Sequence, residues 1–88
     1  MATNGNHAGG VKVVSASYTA LTSETYGMRN MHMRSENGNG IIEIATRDGV
    51  QTGFLNGGEG LSLQNVRPAD VFVKGTAGDR IYFIGDKA

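Results

Sequence analysis

Hydrophobic and polar residues alternate in short stretches of the chain, and Gly, Asn and Asp separate these stretches. In Met28–Ser35, for example, Met31 and Met33 alternate with His32 and Arg34, so an extended chain would place the methionines on one face. We expect the two methionines to pack in the core. No segment has a sustained helical period, and the pattern therefore predicts an all-β protein.

The alternation predicts about seven short strands, most of them bounded by turn signals. They are Val11–Leu21, Met28–Ser35, Ile41–Arg47, Val50–Leu55, Leu61–Val66, Val71–Lys74 and Arg80–Ile84. Asp48-Gly49 is the strongest hairpin signal, because a type I′ turn requires positive φ at both central positions. The expected architecture is a small antiparallel β-sandwich or jelly roll.

The first ten residues differ from the rest of the chain. Met1–Gly10 is polar and rich in Gly and Asn, so we predict a flexible N-terminal arm followed by a single β-sandwich domain over residues 11–88. Such an arm is either a frayed end or a segment that becomes ordered on a neighbouring subunit by adding a strand to its sheet. In the second case the residues predicted to bind are Thr3, Asn4, Asn6, His7, Val11 and Val13.

Composition limits how stable a lone copy can be. The chain has 88 residues, 14 of them Gly, and it has no Cys. A domain of this size has a small core, and no disulfide supplements it. Because small domains without disulfides or metals often gain stability by association, we expect a homo-oligomer.

Charge and hydropathy exclude two classes of partner. Eight basic and eight acidic side chains cancel, and the basic residues are spread along the chain, so we expect no nucleic-acid partner. No apolar run reaches the ~20 residues that a membrane span requires, so we expect no membrane insertion. The first ten residues lack the basic and apolar regions of a secretory signal, which predicts a protein made in the cytoplasm.

Residues with catalytic or metal-binding chemistry are few and scattered. His7 and His32 are the only imidazoles, and neither has evident co-ligands, so we expect no metal site and no cofactor. The carboxylates lie mostly in or beside turns, and none forms an evident acid–base pair. Asn56–Gly60 is Gly-rich, but a predicted strand follows it where a phosphate loop requires a helix. The sequence therefore predicts no catalytic residues and no enzyme.

The second half of the chain, Ile42–Ile84, resembles the small β-sandwich structural proteins encoded among the head genes of tailed bacteriophages. Three stretches carry the resemblance: the Asp48-Gly49 hairpin, Phe54–Leu63 and Val71–Ile84. The shared features are small size, Gly-rich turns, closely spaced strands and the lack of cysteine. The resemblance implies a structural role in a virion.

That resemblance implies a capsid decoration, or cement, protein that binds the major capsid protein between capsomers and stabilises the shell without catalysis. Such a protein would lie on the capsid surface after synthesis in the host cytoplasm, and a homotrimer would suit the threefold positions of an icosahedral shell. The alternative is a head–tail adaptor or fibre-associated module that recognises another virion protein or a host glycan.

Overall fold

The computed structural model describes residues 7–47 and 52–88, which form eight β-strands and one short 3₁₀ turn. The strands are β1 His7–Val13, β2 Thr19–Ala20, β3 Met28–Ser35, β4 Ile42–Thr46, β5 Thr52–Leu55, β6 Gly60–Val66, β7 Val71–Lys74 and β8 Arg80–Lys87. Pro68–Asp70 forms the 3₁₀ turn before β7. The predicted Asp48-Gly49 hairpin lies outside the described residues, although the strands on either side of it, β4 and β5, pair antiparallel.

The strands form two antiparallel sheets of four. The first has the order β1-β8-β3-β6, and the second has the order β2-β7-β4-β5. Eight antiparallel strands in these two orders, with most connections passing from one sheet to the other, form a jelly roll. The all-β prediction and the sandwich or jelly-roll architecture are therefore confirmed.

The core lies between the two sheets and follows the predicted alternation. Met33 and Ile81 of the first sheet and Ile42 and Val73 of the second are all completely buried. The other buried apolar side chains are Val14, Leu21, Met28, Met31, Ile44, Leu55, Val71 and Phe83. The expected core packing of Met31 and Met33 is thus found, and their neighbours His32 and Arg34 are exposed.

The arm predicted over residues 1–10 does not extend to residue 10. His7–Val13 forms β1, which pairs with β8 in a continuous register from His7 opposite Asp86 to Val13 opposite Arg80. The two strands approach so closely at Gly9 that a Cβ there would collide with the carbonyl oxygen of Phe83. Only glycine fits this position of β1, although glycine is uncommon in strands. The predicted arm residues Thr3, Asn4 and Asn6 lie outside the described residues.

The predicted strand Val11–Leu21 is two strands in different sheets. β1 ends at Val13, and β2 belongs to the other sheet, so the intervening residues cross from one sheet to the other. Val14 begins the crossing as a buried side chain, and its N–H donates a 2.7 Å hydrogen bond to the carbonyl of Asp79. This crossing explains why the chain forms eight strands where the pattern predicted about seven.

Candidate functional site

An exposed apolar surface lies on the outer face of the first sheet. Val11 and Val13 of β1 and Tyr82 and Ile84 of β8 have exposed fractions of 53%, 58%, 36% and 60%. Val11 lies opposite Tyr82 in the register, and the four side chains cover adjoining positions of these two strands. We call these four side chains the apolar patch.

The other half of the same outer face is polar. In the register of β3 and β8, His32 lies beside Ile84 and Arg34 lies beside Tyr82. His32 Nδ1 is 3.1 Å from the Ser62 hydroxyl oxygen on β6. A shallow hollow of about 390 Å³ spans the boundary and is lined by Gly10, Val11, His32, Arg34, Tyr82, Phe83 and Ile84. The hollow is therefore apolar along β1 and β8, and Arg34 gives it a cationic border.

An ionic cluster fixes one end of the patch. Arg80 Nη2 lies 2.9 Å from Glu36 Oε2, and Arg80 Nε lies 3.3 Å from Glu36 Oε1. The Tyr82 hydroxyl donates a hydrogen bond to the same carboxylate. That bond, with a smaller contribution from Arg80, holds the pKa of Glu36 below its ordinary value, and it also raises the pKa of Tyr82. The Tyr82 ring is therefore held in one orientation.

The turn after β3 supports this cluster. Asn39 Nδ2 donates hydrogen bonds to the Arg80 carbonyl at 2.6 Å and to the buried Ser35 hydroxyl at 2.8 Å. The Gly40 N–H donates to Asp79 Oδ2 at 2.9 Å. These contacts tie the turn to the start of β8, so the backbone beneath Arg80 and Tyr82 is fixed before any partner binds.

The structure brings together only some of the residues predicted to bind a neighbour. Val11 and Val13 both lie in the apolar patch, and His7 lies at the other end of β1 with its Nε2 3.3 Å from Asp86 Oδ1. Sequence reasoning missed Tyr82 and Ile84, which complete the patch. The signal was weak because Ile81–Ile84 is apolar throughout, so alternation could not indicate which side of β8 faces solvent.

A second hollow of about 390 Å³ lies where β4 and β6 end, and two arginines border it. Arg47 Nε is 2.7 Å from Asp70 Oδ1, and the Arg47 guanidinium lies over the Phe72 ring at 5.2 Å. That cation is therefore already paired. The geometry favours the apolar patch as the candidate site.

The metal site, phosphate loop and membrane span considered from the sequence can each be checked in the structure. Within residues 7–47 and 52–88, no three His, Asp or Glu side chains lie close enough to hold a metal ion. In the Gly-rich segment Asn56–Gly60, residues 56–59 form the turn between β5 and β6, where the Asn56 N–H donates to Glu59 Oε1 at 2.7 Å, and Gly60 begins β6. No helix in the described part of the chain is long and apolar enough to cross a membrane.

Fold and surface together define a small jelly-roll domain with an exposed apolar sheet face. No family model matches the chain, and no curated protein matches it. Two solved structures are similar. A subunit of Bacillus endospore appendages, described as disulfide-linked pili, is 14% identical with a TM-score of 0.61, over 93% of this chain and 86% of that one. A cupin-2 domain protein of Shewanella frigidimarina is 15% identical with a TM-score of 0.54, over 97% of this chain and 74% of that one.

At these identities the comparisons establish the jelly-roll fold and nothing finer. The pilus subunit is described as disulfide-linked, whereas this chain has no cysteine and cannot form such a link. The resemblance to phage proteins is supported at the level of a small all-β structural fold.

Proposed function

We propose that this protein is a non-catalytic structural subunit of a larger protein assembly and that it acts by binding neighbouring proteins through its apolar patch. The carrying observation is the exposure of Val11, Val13, Tyr82 and Ile84 side by side on one sheet. Contiguous exposed apolar surface bordered by polar groups is typical of protein–protein contact sites. The fixed orientation of Tyr82 lowers the entropy lost on binding.

The assembly we propose is a bacteriophage capsid, on whose surface the protein binds the major capsid protein as a decoration protein. Two observations support this choice: the resemblance of Ile42–Ile84 to phage head proteins, and the jelly-roll fold, which recurs in viral capsid proteins. A similar fold in a pilus subunit is consistent with a role in assemblies outside the cell. Synthesis would take place in the host cytoplasm.

Copy number in purified particles tests this proposal. Because an icosahedral shell repeats its contact sites by symmetry, a decoration protein should be present in copies on the order of hundreds per particle. Quantitative mass spectrometry against the major capsid protein measures the ratio. About a dozen copies or fewer would instead indicate a head–tail adaptor or fibre component. Absence from the particle would overturn the virion role.

A patch variant tests the surface. Ile84→Asp places a carboxylate in the apolar patch, whereas Gln64→Asp makes the same change at an exposed position on the polar half of the same face. At limiting protein concentration, Ile84→Asp should reduce occupancy on particles that lack the protein, because the carboxylate must be desolvated in the contact. Equal occupancy for the two variants would show that another surface binds the capsid.

We also propose that the protein self-associates, because a domain with so small a core gains stability by burying further surface against another copy. A homotrimer, as capsid symmetry implies, and a dimer are the alternatives, and the mass of the oligomer in solution distinguishes them.

A further inference from the structure

Of the four edge strands in the described residues, β1 has the longest regular extended backbone. β2 has two residues and β5 has four. β6 has seven, but Asn65 within it has a φ of 54°, which breaks the regular extended backbone, and Arg67-Pro68 follows the strand. β1 pairs with β8 along all seven residues without irregularity, and it is the outermost strand of its sheet. The unpaired backbone groups of such an edge accept another strand.

The side chains of β1 give its edge one recognised protection. Proteins commonly guard edges with charged side chains, including inward-pointing ones, or with Pro or bulges. Lys12 is the single formally charged residue of the strand, and it lies on the inward side beside Ile81, opposite to the two valines. On the outer side Val11 and Val13 are exposed and apolar. Gly9 and Gly10 carry no side chain.

We infer that two copies of this chain pair antiparallel through β1 about a twofold axis at Gly10, forming one continuous eight-stranded sheet. This inference rests on the proposed role as a self-associating structural subunit, and it assigns β1 as the interface between the two copies. Gly10 is the midpoint of His7–Val13, so an axis there pairs the strand over its full length. Main-chain hydrogen bonds between opposed strands supply the attraction.

The side-chain register of this pairing is self-complementary. Val11 lies opposite Gly9 of the second copy, so a branched apolar side chain covers a position without one. Lys12 lies opposite Ala8 of the second copy, so no two like charges face each other. An axis at Lys12 would instead oppose two lysines and shorten the pairing. The Gly10 register also joins the two apolar patches into one surface, which gives the pair two linked contacts with a capsid.

Disulfide trapping tests the register directly, because the chain has no cysteine of its own. A Cβ at Gly10 would lie 3.6 Å from the Phe83 ring, an ordinary contact, so Gly10→Cys should fold. Opposed residues of antiparallel strands have Cα atoms about 4.5–5.5 Å apart, which a disulfide can span. Mild oxidation of Gly10→Cys should give mostly linked dimer, whereas the control Gln64→Cys, on the opposite edge strand, should stay largely unlinked.

A charge variant tests the same interface without a cross-link. Val11→Lys brings two added lysines together across the axis and should weaken the dimer by about tenfold or more in Kd. The matched control Gln64→Lys adds the same charge to the outer face of β6 and should leave the dimer intact. Sedimentation equilibrium measures the mass against the 9.3 kDa chain, and circular dichroism verifies that each variant folds.

The outcomes separate this inference from the proposed function. A wild-type dimer that Gly10→Cys traps and Val11→Lys dissociates supports the β1 pairing. A trimer, or association that neither variant affects, overturns the β1 pairing and leaves self-association standing. A monomer at all concentrations overturns both self-association and the pairing, whereas decoration of particles is judged separately by copy number.

Discussion

Gly85 lies in the middle of β8, between Ala8 of β1 and Met31 of β3. A Cβ at this position would collide with the carbonyl oxygen of Asn30 and lie 2.9 Å from the Met31 Cα. The neighbouring backbone is part of the central ladder of the first sheet, so it cannot shift without weakening hydrogen bonds on both sides. The absence of a side chain at residue 85 is thus a condition for packing these three strands.

We therefore expect Gly85→Ala to destabilise the protein by about 1–3 kcal/mol, as overpacking of a close-fitting site does. Urea unfolding followed by circular dichroism measures the change. Gly27→Ala is the matched control, because a Cβ there would meet nothing within 4 Å. Equal stability of the two variants would contradict the close approach at Gly85.

The Glu36 cluster predicts an acid-dependent loss of stability. The Tyr82 hydrogen bond, with help from Arg80, lowers the pKa of Glu36 in the folded protein below the ordinary 4.5. The ionised carboxylate therefore stabilises the fold above pH 4.5, and this contribution is lost as the pH falls through the lowered folded pKa. Thermal unfolding from pH 6 to pH 2.5 should show a smaller decrease for Glu36→Gln than for wild type.

The control for this experiment is Glu24→Gln, which removes an exposed carboxylate that forms no ion pair within the described residues. It should retain the wild-type decrease. If Glu36→Gln and wild type lose stability in parallel, the Tyr82–Glu36 hydrogen bond does not stabilise the folded protein.

Residue-level prediction from the sequence succeeded where polarity alternates and failed where it does not. The alternation of Met31 and Met33 with polar His32 and Arg34 predicts that the methionines lie in the core, where both are buried. In β8, by contrast, both faces carry apolar side chains, and only the pairing with β1 and β3 determines that Ile81 and Phe83 face inward. The apolar patch therefore could not be located before the sheet was known.

Because β1 begins at His7, an N-terminal truncation that removes part of this strand should destabilise the fold. Residues 7–10 form four of the seven positions of β1, and Ala8 packs against the core. Deleting residues 2–10 should destabilise the protein by about 2–4 kcal/mol, because several ladder hydrogen bonds are lost at about 1 kcal/mol each. Deleting residues 2–6 leaves β1 whole and is the matched control for the loss of residues 7–10.

Chemical denaturation of the two truncated chains measures this difference. If both deletions are equally stable, the pairing of residues 7–10 with β8 contributes nothing to the fold. The deletion of residues 2–6 also removes Thr3, Asn4 and Asn6. Its occupancy on capsids therefore tests separately whether these three residues assist attachment.

Most strands in the second half of the chain were predictable, because turn residues end them and β-branched residues fill them. The predicted end of the last strand at Ile84 was wrong, because β8 continues through Gly85 and Asp86 to Lys87. β7 matches its predicted bounds, and β6 begins one residue early at Gly60. Strand bounds in the first half of the chain were harder to predict. No local signal at Val14 indicates that the chain leaves one sheet for the other, since both strands and the crossing contain similar small and β-branched residues.

For the whole molecule, we expect stability to be independent of bound metal. EDTA should leave the melting temperature unchanged in a fluorimetric thermal scan, because no cluster of metal ligands forms in the described ranges 7–47 and 52–88. Added Ca²⁺ or Zn²⁺ is the reciprocal control and should have no effect either. A decrease of several degrees in EDTA would contradict this and direct attention to oxygen ligands in the turns.

The pairing of β1 with β8 has a consequence for biosynthesis. β8 begins at Arg80, 67 residues after β1 ends at Val13, and it lies between β1 and β3 in the sheet. At a translation rate of about 5–20 residues per second, the ribosome needs roughly 3–13 s to reach the start of the strand that β1 pairs with. During that interval the nascent chain carries a strand with both edges open, so high expression should favour aggregation, and slowing translation should not rescue it.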